Sequence, residues 1–221
     1  MTEAEQPTLH YHPFASFCQK VLIALYEKAI PFRPNLVDLG DPEERAALTR
    51  LWPFGKFPVL EDAGRVVAES SSIIEYLDLR HPRAPRMVPE EPASALAVRT
   101  ADRFYDTYVH LPMQKIVTDC IRPEGRADPQ GVEEARATLA TAYAMIEAEA
   151  GAREWAAGDR FGMADCAAAP ALFYANWVQP LLPDHPAAAA YLARLRARPS
   201  VARVVEEARP YRHLFPAERR G

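Results

Sequence analysis

The stretch Gly55-Lys56-Phe57-Pro58-Val59-Leu60-Glu61-Asp62, followed by Glu69-Ser70-Ser71-Ser72-Ile73-Ile74, decides how this chain is read. Val59 to Glu61 reads as a strand, and a proline cannot donate a ladder hydrogen bond, so Pro58 belongs at the strand's first residue or at a sheet edge. The backbone of Phe57 is then free to pair with something extended, as when a short peptide is captured by strand addition. Glu69 is a carboxylate suited to an ammonium group, and Ser70 and Ser71 open an apolar helix over Ile73, Ile74 and Leu77. The amides and dipole at such a helix start favour a carboxylate. Together these residues describe a site for a zwitterionic peptide. Each taken singly also has a structural reading, as a turn proline, a solvated charge and a helix cap.

Toward the N-terminus, Thr8 to His12 is a candidate strand, with Leu9 and Tyr11 on one face and His10 and His12 on the other. After Pro13 and a break at Ala15 and Ser16, the residues Phe17, Val21, Leu22, Leu25 and Tyr26 have helical spacing, and Ile30-Pro31 ends the run. Phe32 to Asp38 reads as a second extended segment and Pro42 to about Leu51 as a short helix. Phe57 to Glu61 and Arg65 to Ala68 form a hairpin about Asp62-Ala63-Gly64, and a helix from Ser71 to Arg80 follows. This is a small mixed α/β unit, with parallel pairing expected wherever a helix makes the crossover.

Toward the C-terminus, His81-Pro82-Arg83-Ala84-Pro85 with Pro89 and Pro92 forms a proline-rich connector. It divides the chain into an α/β domain at 1–85, a linker at 86–91 and an all-helical domain at 92–221. The helical half is expected to run from Ala93 to Thr118 with an interruption at Pro112, then Val132 to Glu149, Met163 to Val178 with Pro170 inside, Pro186 to Arg196 and Ser200 to Ala208. The loop from Arg122 to Pro129 is polar.

With 49% apolar and 25% charged residues, the 221-residue chain has the composition of a soluble globular protein, and its net charge of -4 gives no overall drive toward nucleic acid or anionic membrane. No window approaches the ~20 continuous apolar residues of a membrane span. Met1 to Pro7 are acidic and polar, unlike a leader, so a cytoplasmic location is expected. Three distant cysteines, Cys18, Cys120 and Cys166, suit neither a disulfide framework nor a structural zinc site, and no metal is expected.

A proline-led hairpin with Glu-Ser behind it, in a thioredoxin-like α/β domain ahead of an all-helical one, resembles the glutathione S-transferase superfamily over nearly the whole chain. In the family pattern G-K-x-P-x-L the proline is cis and exposes the residue before it to the cysteinyl main chain of glutathione, while the Glu-Ser pair binds the γ-glutamyl end. The resemblance therefore implies glutathione binding by Lys56, Phe57, Pro58, Glu69 and Ser70. Gly158 to Asp165 is similar to the family's G-x-x-x-[ST]-x-A-D element, with Gly162 where Ser or Thr is usual, which leaves Asp165 half of a capping box. What the resemblance implies is a cytoplasmic, homodimeric glutathione transferase of the bacterial type, active in detoxification. It would use glutathione as co-substrate, without metal, to attack a small hydrophobic electrophile. Two other readings share the architecture: a binding or interaction module without transferase activity, and a glutathione-dependent reductase or peroxidase.

A thiol with a pKa of about 8.5 to 9 is mostly protonated at neutral pH, and lowering it by about 2 units takes about 2.7 kcal/mol of preferential stabilisation of the anion. One or two hydrogen bonds at a helix N-terminus are of that size, so no explicit base is required. Aligned on the first helix, the serine or cysteine of related proteins falls on Ala15. Ser16, one position on, is the catalytic candidate; it either donates its hydroxyl to the thiolate or caps the helix. Tyr11 falls where tyrosine-type relatives carry their phenol, or else packs in the core. Cys18 takes the second place of a C-x-x-C pair whose first cysteine is missing, which removes dithiol chemistry. Lys56 either reaches the glycyl carboxylate or stays solvated. The electrophile is expected between the turn at Phe14 and the helix bearing Arg99, Arg103, Phe104, Tyr105, Tyr108 and His110, none of which is assigned to it.

Overall fold

The structure, a computed structural model, describes residues 6–216, so only Gln6 and Pro7 of the polar N-terminal stretch fall within it. Its first half alternates strands and helices: β1 (Thr8–Tyr11), α1 (Ser16–Glu27), β2 (Arg33–Leu36), α2 (Pro42–Leu51), β3 (Val59–Asp62), β4 (Arg65–Ala68) and α3 (Ser70–Arg80). The strands form one mixed sheet in the order β2-β1-β3-β4. As expected for a helical crossover, α1 returns the chain so that β1 and β2 pair in parallel. The second helix breaks that expectation, because β3 runs antiparallel to β1, with Leu9 opposite Leu60. A crossover helix must lie along the sheet to bring the chain back to its starting end, and α2 buries only Leu48. That leucine joins Val37 and Val59 in a small cluster of its own, and the chain re-enters the sheet from the end where β2 left it.

The remainder is helical. α4 (Pro92–Phe104) passes through a π-helical segment, Tyr105–His110, into α5 (Leu111–Cys120); α6 (Pro129–Ala150), α7 (Met163–Val178), α8 (Pro186–Ala197), α9 (Pro199–Ala208) and a 3₁₀ turn, Arg209–Leu214, follow. The break expected at Pro112 therefore lies just upstream of it. A helical proline lacks the N–H that would bond the carbonyl four residues earlier, here Tyr108, and its ring crowds that carbonyl. A wide turn ending just before the proline relieves both faults.

Every residue of α7 from Met163 to Ala175 is buried, and α7 packs on α1 and α4. One core cluster runs from Leu9 and Leu60 of the sheet, through Val21 and Leu25, to Ala168 and Leu172 of α7. The start of α7 is tied down: Asp165 accepts from the N–H groups of Gly162 and Ala156 at 2.9 and 2.8 Å and from the Tyr191 hydroxyl at 2.6 Å. The missing hydroxyl at Gly162 has a steric reason, since a Cβ there would stand 2.8 Å from the Met87 carbonyl oxygen. That same carbonyl accepts from Met163 N–H at 2.9 Å. Asp78, buried at the end of α3, takes a hydrogen bond from Lys28 at 2.7 Å and others from the N–H groups of Met87 and Val88, which pins the connector.

Candidate active site

Lys56, Phe57, Pro58, Glu69 and Ser70 converge on one cavity of about 260 Å³, together with Trp52, Ser71 and Asp106. The Phe57–Pro58 peptide is cis, and β3 begins only at Val59, so the peptide groups of Phe57 are outside the ladder and carry no hydrogen bond to the described residues. Glu69 precedes α3 with φ at +69°, a left-handed conformation that a side chain with a Cβ rarely adopts and that clusters at ligand sites. Lys56 forms no ion pair with a described residue and stands at the junction with a second cavity.

That second cavity, about 440 Å³, shares Phe17, Lys56, Phe57 and Leu111 with the first. Ser16 lines it, as do Phe14, Val117, Tyr174 and Phe215. Ser16 is the first residue of α1, and the N-cap Ala15 offers no side-chain hydrogen bond to the helix. Its hydroxyl lies 2.9 Å from Nδ1 and 3.4 Å from Nε2 of His110, the last residue of the π-helical segment. His110 is buried under Phe17, with ring centroids 4.1 Å apart, and burial and the nearby Lys20 ammonium push its pKa down to about 4. The turn before α1 is held from behind: Gln19 donates to the Pro13 carbonyl and to the Tyr174 hydroxyl, each at 2.8 Å, and Tyr174 donates to the Phe14 carbonyl at 3.0 Å.

Beneath both cavities lies a charged knot. Lys20, buried on α1, stands 2.6 Å from Asp102 and 2.7 Å from Asp106, and donates to Ser71 at 2.8 Å. Ser71 in turn donates to Asp102 at 2.6 Å. Burial raises the Asp106 carboxyl and Lys20 pulls it back down, the sum being upward.

Two other candidates stand elsewhere. Tyr11 lines neither cavity; its phenol is pushed up by burial and by Glu207 of α9. Cys18 is fully buried and its thiol is pushed up by burial. Of the six residues named around the electrophile's expected position, His110 alone lines this second cavity. Phe104 and Tyr105 line a separate cavity between α4 and α6, and Arg99 is held by Glu75 at 2.7 and 3.0 Å. The wide turn of the π-helical segment rotates the following residues, a change that a 3.6-residue repeat does not anticipate. The Ser16–His110 contact, 94 positions apart in sequence, had no local signal; Ser71 did, as the next residue after Glu69-Ser70.

A thioredoxin-like sheet whose cis-proline edge faces a cavity roofed by a helical second half defines a class of two-part architecture, α/β and then all-helical. Comparison with known proteins makes the class specific. The model for the glutathione S-transferase N-terminal domain matches residues 9–86, and that for the C-terminal domain matches residues 105–199. A probable glutathione S-transferase of Oryza sativa subsp. japonica is 33% identical over 183 residues, 79% of this chain and 77% of that one. A maleylacetoacetate isomerase of Pseudomonas aeruginosa is 28% identical over 171 residues, 76% of this chain and 79% of that one. The crystal structure of a glutathione S-transferase from Methylobacillus flagellatus with glutathione bound superposes with a TM-score of 0.82 at 27% identity, covering 90% of this chain and 98% of the other. The chain belongs to the glutathione S-transferase superfamily.

Proposed function

We propose that this protein is a glutathione transferase that binds glutathione in the smaller cavity and conjugates it to an uncharged, apolar electrophile in the larger one. The observation that carries the reading is the junction: Phe17, Lys56, Phe57 and Leu111 belong to both cavities, so a sulfur leaving the first enters the second. The γ-glutamyl ammonium meets Glu69, and its carboxylate meets Ser70 and the amides that open α3. The cysteinyl main chain pairs with Phe57 beside Pro58, and the glycyl carboxylate meets Lys56. At the reactive end, the Ser16 hydroxyl and the free amides of α1 stabilise the thiolate, whose proton leaves to solvent. The sulfur lone pair then forms a bond to an electrophilic carbon, and a leaving group departs with its electron pair or an adjoining conjugated acceptor takes the pair and a proton.

Family membership supports the wider parts of this reading: a cytoplasmic homodimer, no metal, and a division into a glutathione-binding domain at 1–85 and a helical domain at 92–221, whose outermost residues lie outside the described ones. The burial of Cys18 speaks against a redox role for that thiol, but not against a reductase or peroxidase that works through the bound glutathione thiol. The likeness to the maleylacetoacetate isomerase supports a second reading, in which the same thiolate adds reversibly across a double bond and leaves again. Calorimetry with glutathione tests the site: Glu69→Ala and Ser70→Ala should each weaken binding by about tenfold or more, the size expected for one charge-assisted hydrogen bond. Unchanged affinity in both variants would remove the assignment. Turnover with an aryl chloride and with a cis-alkene acid separates conjugation from isomerisation, and no turnover of any electrophile would leave a binding module.

A further inference from the structure

His110 has one hydrogen-bond partner among the described residues, the Ser16 hydroxyl, and lines the larger cavity with it. Two arrangements fit that contact. If the imidazole accepts, the single proton of Ser16 points at the ring and only oxygen lone pairs face the cavity, which repels an anion. If the imidazole donates, Ser16 Oγ is occupied as an acceptor and its proton is turned outward. We propose that His110 is a positioning residue that donates an N–H to Ser16 Oγ and so aims the serine proton at the glutathione sulfur. This deepens the reading given above and rests on it.

The surroundings support a neutral donor over a base that would take the thiol proton through Ser16. The charged groups facing the ring are Lys20 from α1 and Asp106 from its own segment; α7 contributes only Ala167, Pro170 and Ala171. Lys20 opposes a second positive charge, and Asp106 already holds Lys20 at 2.7 Å. Burial adds to this, so the ring stays uncharged in the physiological range. The tilted Phe17 ring, 4.1 Å away between centroids, and the close packing of Ala167, Pro170 and Ala171 hold the ring in place, which keeps the serine rotor from turning.

The test measures the pKa of the bound glutathione thiol, from thiolate absorbance across pH, alongside kcat and KM in four proteins: Ser16→Ala, His110→Phe, His110→Asn and Ser16→Ala with His110→Phe. Phenylalanine keeps the ring contact with Phe17 and removes the donor, whereas the asparagine amide replaces the donor near Nδ1. The expected result is that His110→Phe raises the thiol pKa by about one unit and lowers kcat by about tenfold with KM for glutathione little changed. His110→Asn should recover most of the loss, and His110→Phe should add nothing once Ser16 is alanine. If Ser16→Ala lowers kcat while His110→Phe does not, the positioning role falls and the serine reading stands. If His110→Phe costs the same with and without Ser16, histidine acts by another route and the proposal is overturned. No effect of Ser16→Ala overturns both. Should His110→Phe fail to fold, imidazole nitrogen NMR of the unaltered protein decides, since the proposal requires a proton on the nitrogen facing Ser16 and fails if that nitrogen is bare.

Discussion

The helix that begins at Met163 and the two that begin at Ser16 and Ser70 start in opposite ways. At Met163 the orphan amides are answered from within, by the Asp165 carboxylate and the Met87 carbonyl. α2, α4 and α6 are answered by the side chains of Asp41, Glu91 and Asp128, and α5, α8 and α9 carry a proline in the first turn that removes one donor. Among the described helices, α1 and α3 alone have neither a side-chain cap nor such a proline. Both open onto the paired cavities. An unanswered helix start is a standing cost unless water or a ligand completes it, so on the proposed reading the difference separates what builds the fold from what receives glutathione.

The largest expected effect lies on the structural side. Asp165→Ala would orphan the buried Gly162 N–H and the part-buried Ala156 N–H and take the acceptor from the Tyr191 hydroxyl, and should cost about 3 to 5 kcal/mol in denaturant unfolding. A loss under about 1 kcal/mol would mean that the start of α7 does not anchor the fold.

His110 sharpens the comparison because it belongs to the site yet is as buried as the start of α7. Its folded pKa of about 4 lies below the ordinary value of 6.5, so between those values the unfolded chain binds a proton that the native protein refuses. Stability should therefore fall as pH drops from about 6.5 to 4, by an amount on the order of 2 to 3 kcal/mol from this group, and then level off. Urea unfolding of the parent and of His110→Phe across that window should diverge in slope. Parallel curves would show that the ring titrates normally.

Ser16→Ala tests the site side. The expected loss is about 2 kcal/mol of transition-state stabilisation, roughly thirtyfold in kcat, with a smaller loss in urea stability, about 1 kcal/mol, for the buried His110 nitrogen left without its partner. Equal losses in rate and stability would place Ser16 with the structural helix starts.

How much of this was legible in the sequence follows the same division. That Pro58, Glu69 and Ser70 would line one cavity could be read because local backbone chemistry fixes where they sit: a proline at a strand mouth and a serine at a helix start. The helices of the second half could be read from apolar period. The direction of β3 could not, since whether α2 lies along the sheet depends on how much of it is buried, and only Leu48 is. Nor could the pairing of Ser16 with His110, which needs the wide turn ahead of Pro112 to bring the ring onto α1. Gly162 looked like a weakened cap until the Met87 carbonyl showed why a larger residue would not fit.

Glu69 offers the smallest effect and the most discriminating one, because the two readings of it differ in sign. A left-handed backbone at a residue with a Cβ costs on the order of 1 kcal/mol, and glycine removes that cost while adding entropy to the unfolded chain. Glu69→Gly should thus leave stability unchanged or raise it by up to about 1 kcal/mol, while weakening glutathione by about tenfold as its carboxylate is lost. At a residue that serves the fold, such a substitution lowers stability and leaves the ligand alone. Unfolding and calorimetry on the one variant place Glu69 on either side of the comparison: the strained conformation is kept either for the ligand it presents to or for the hairpin it leaves.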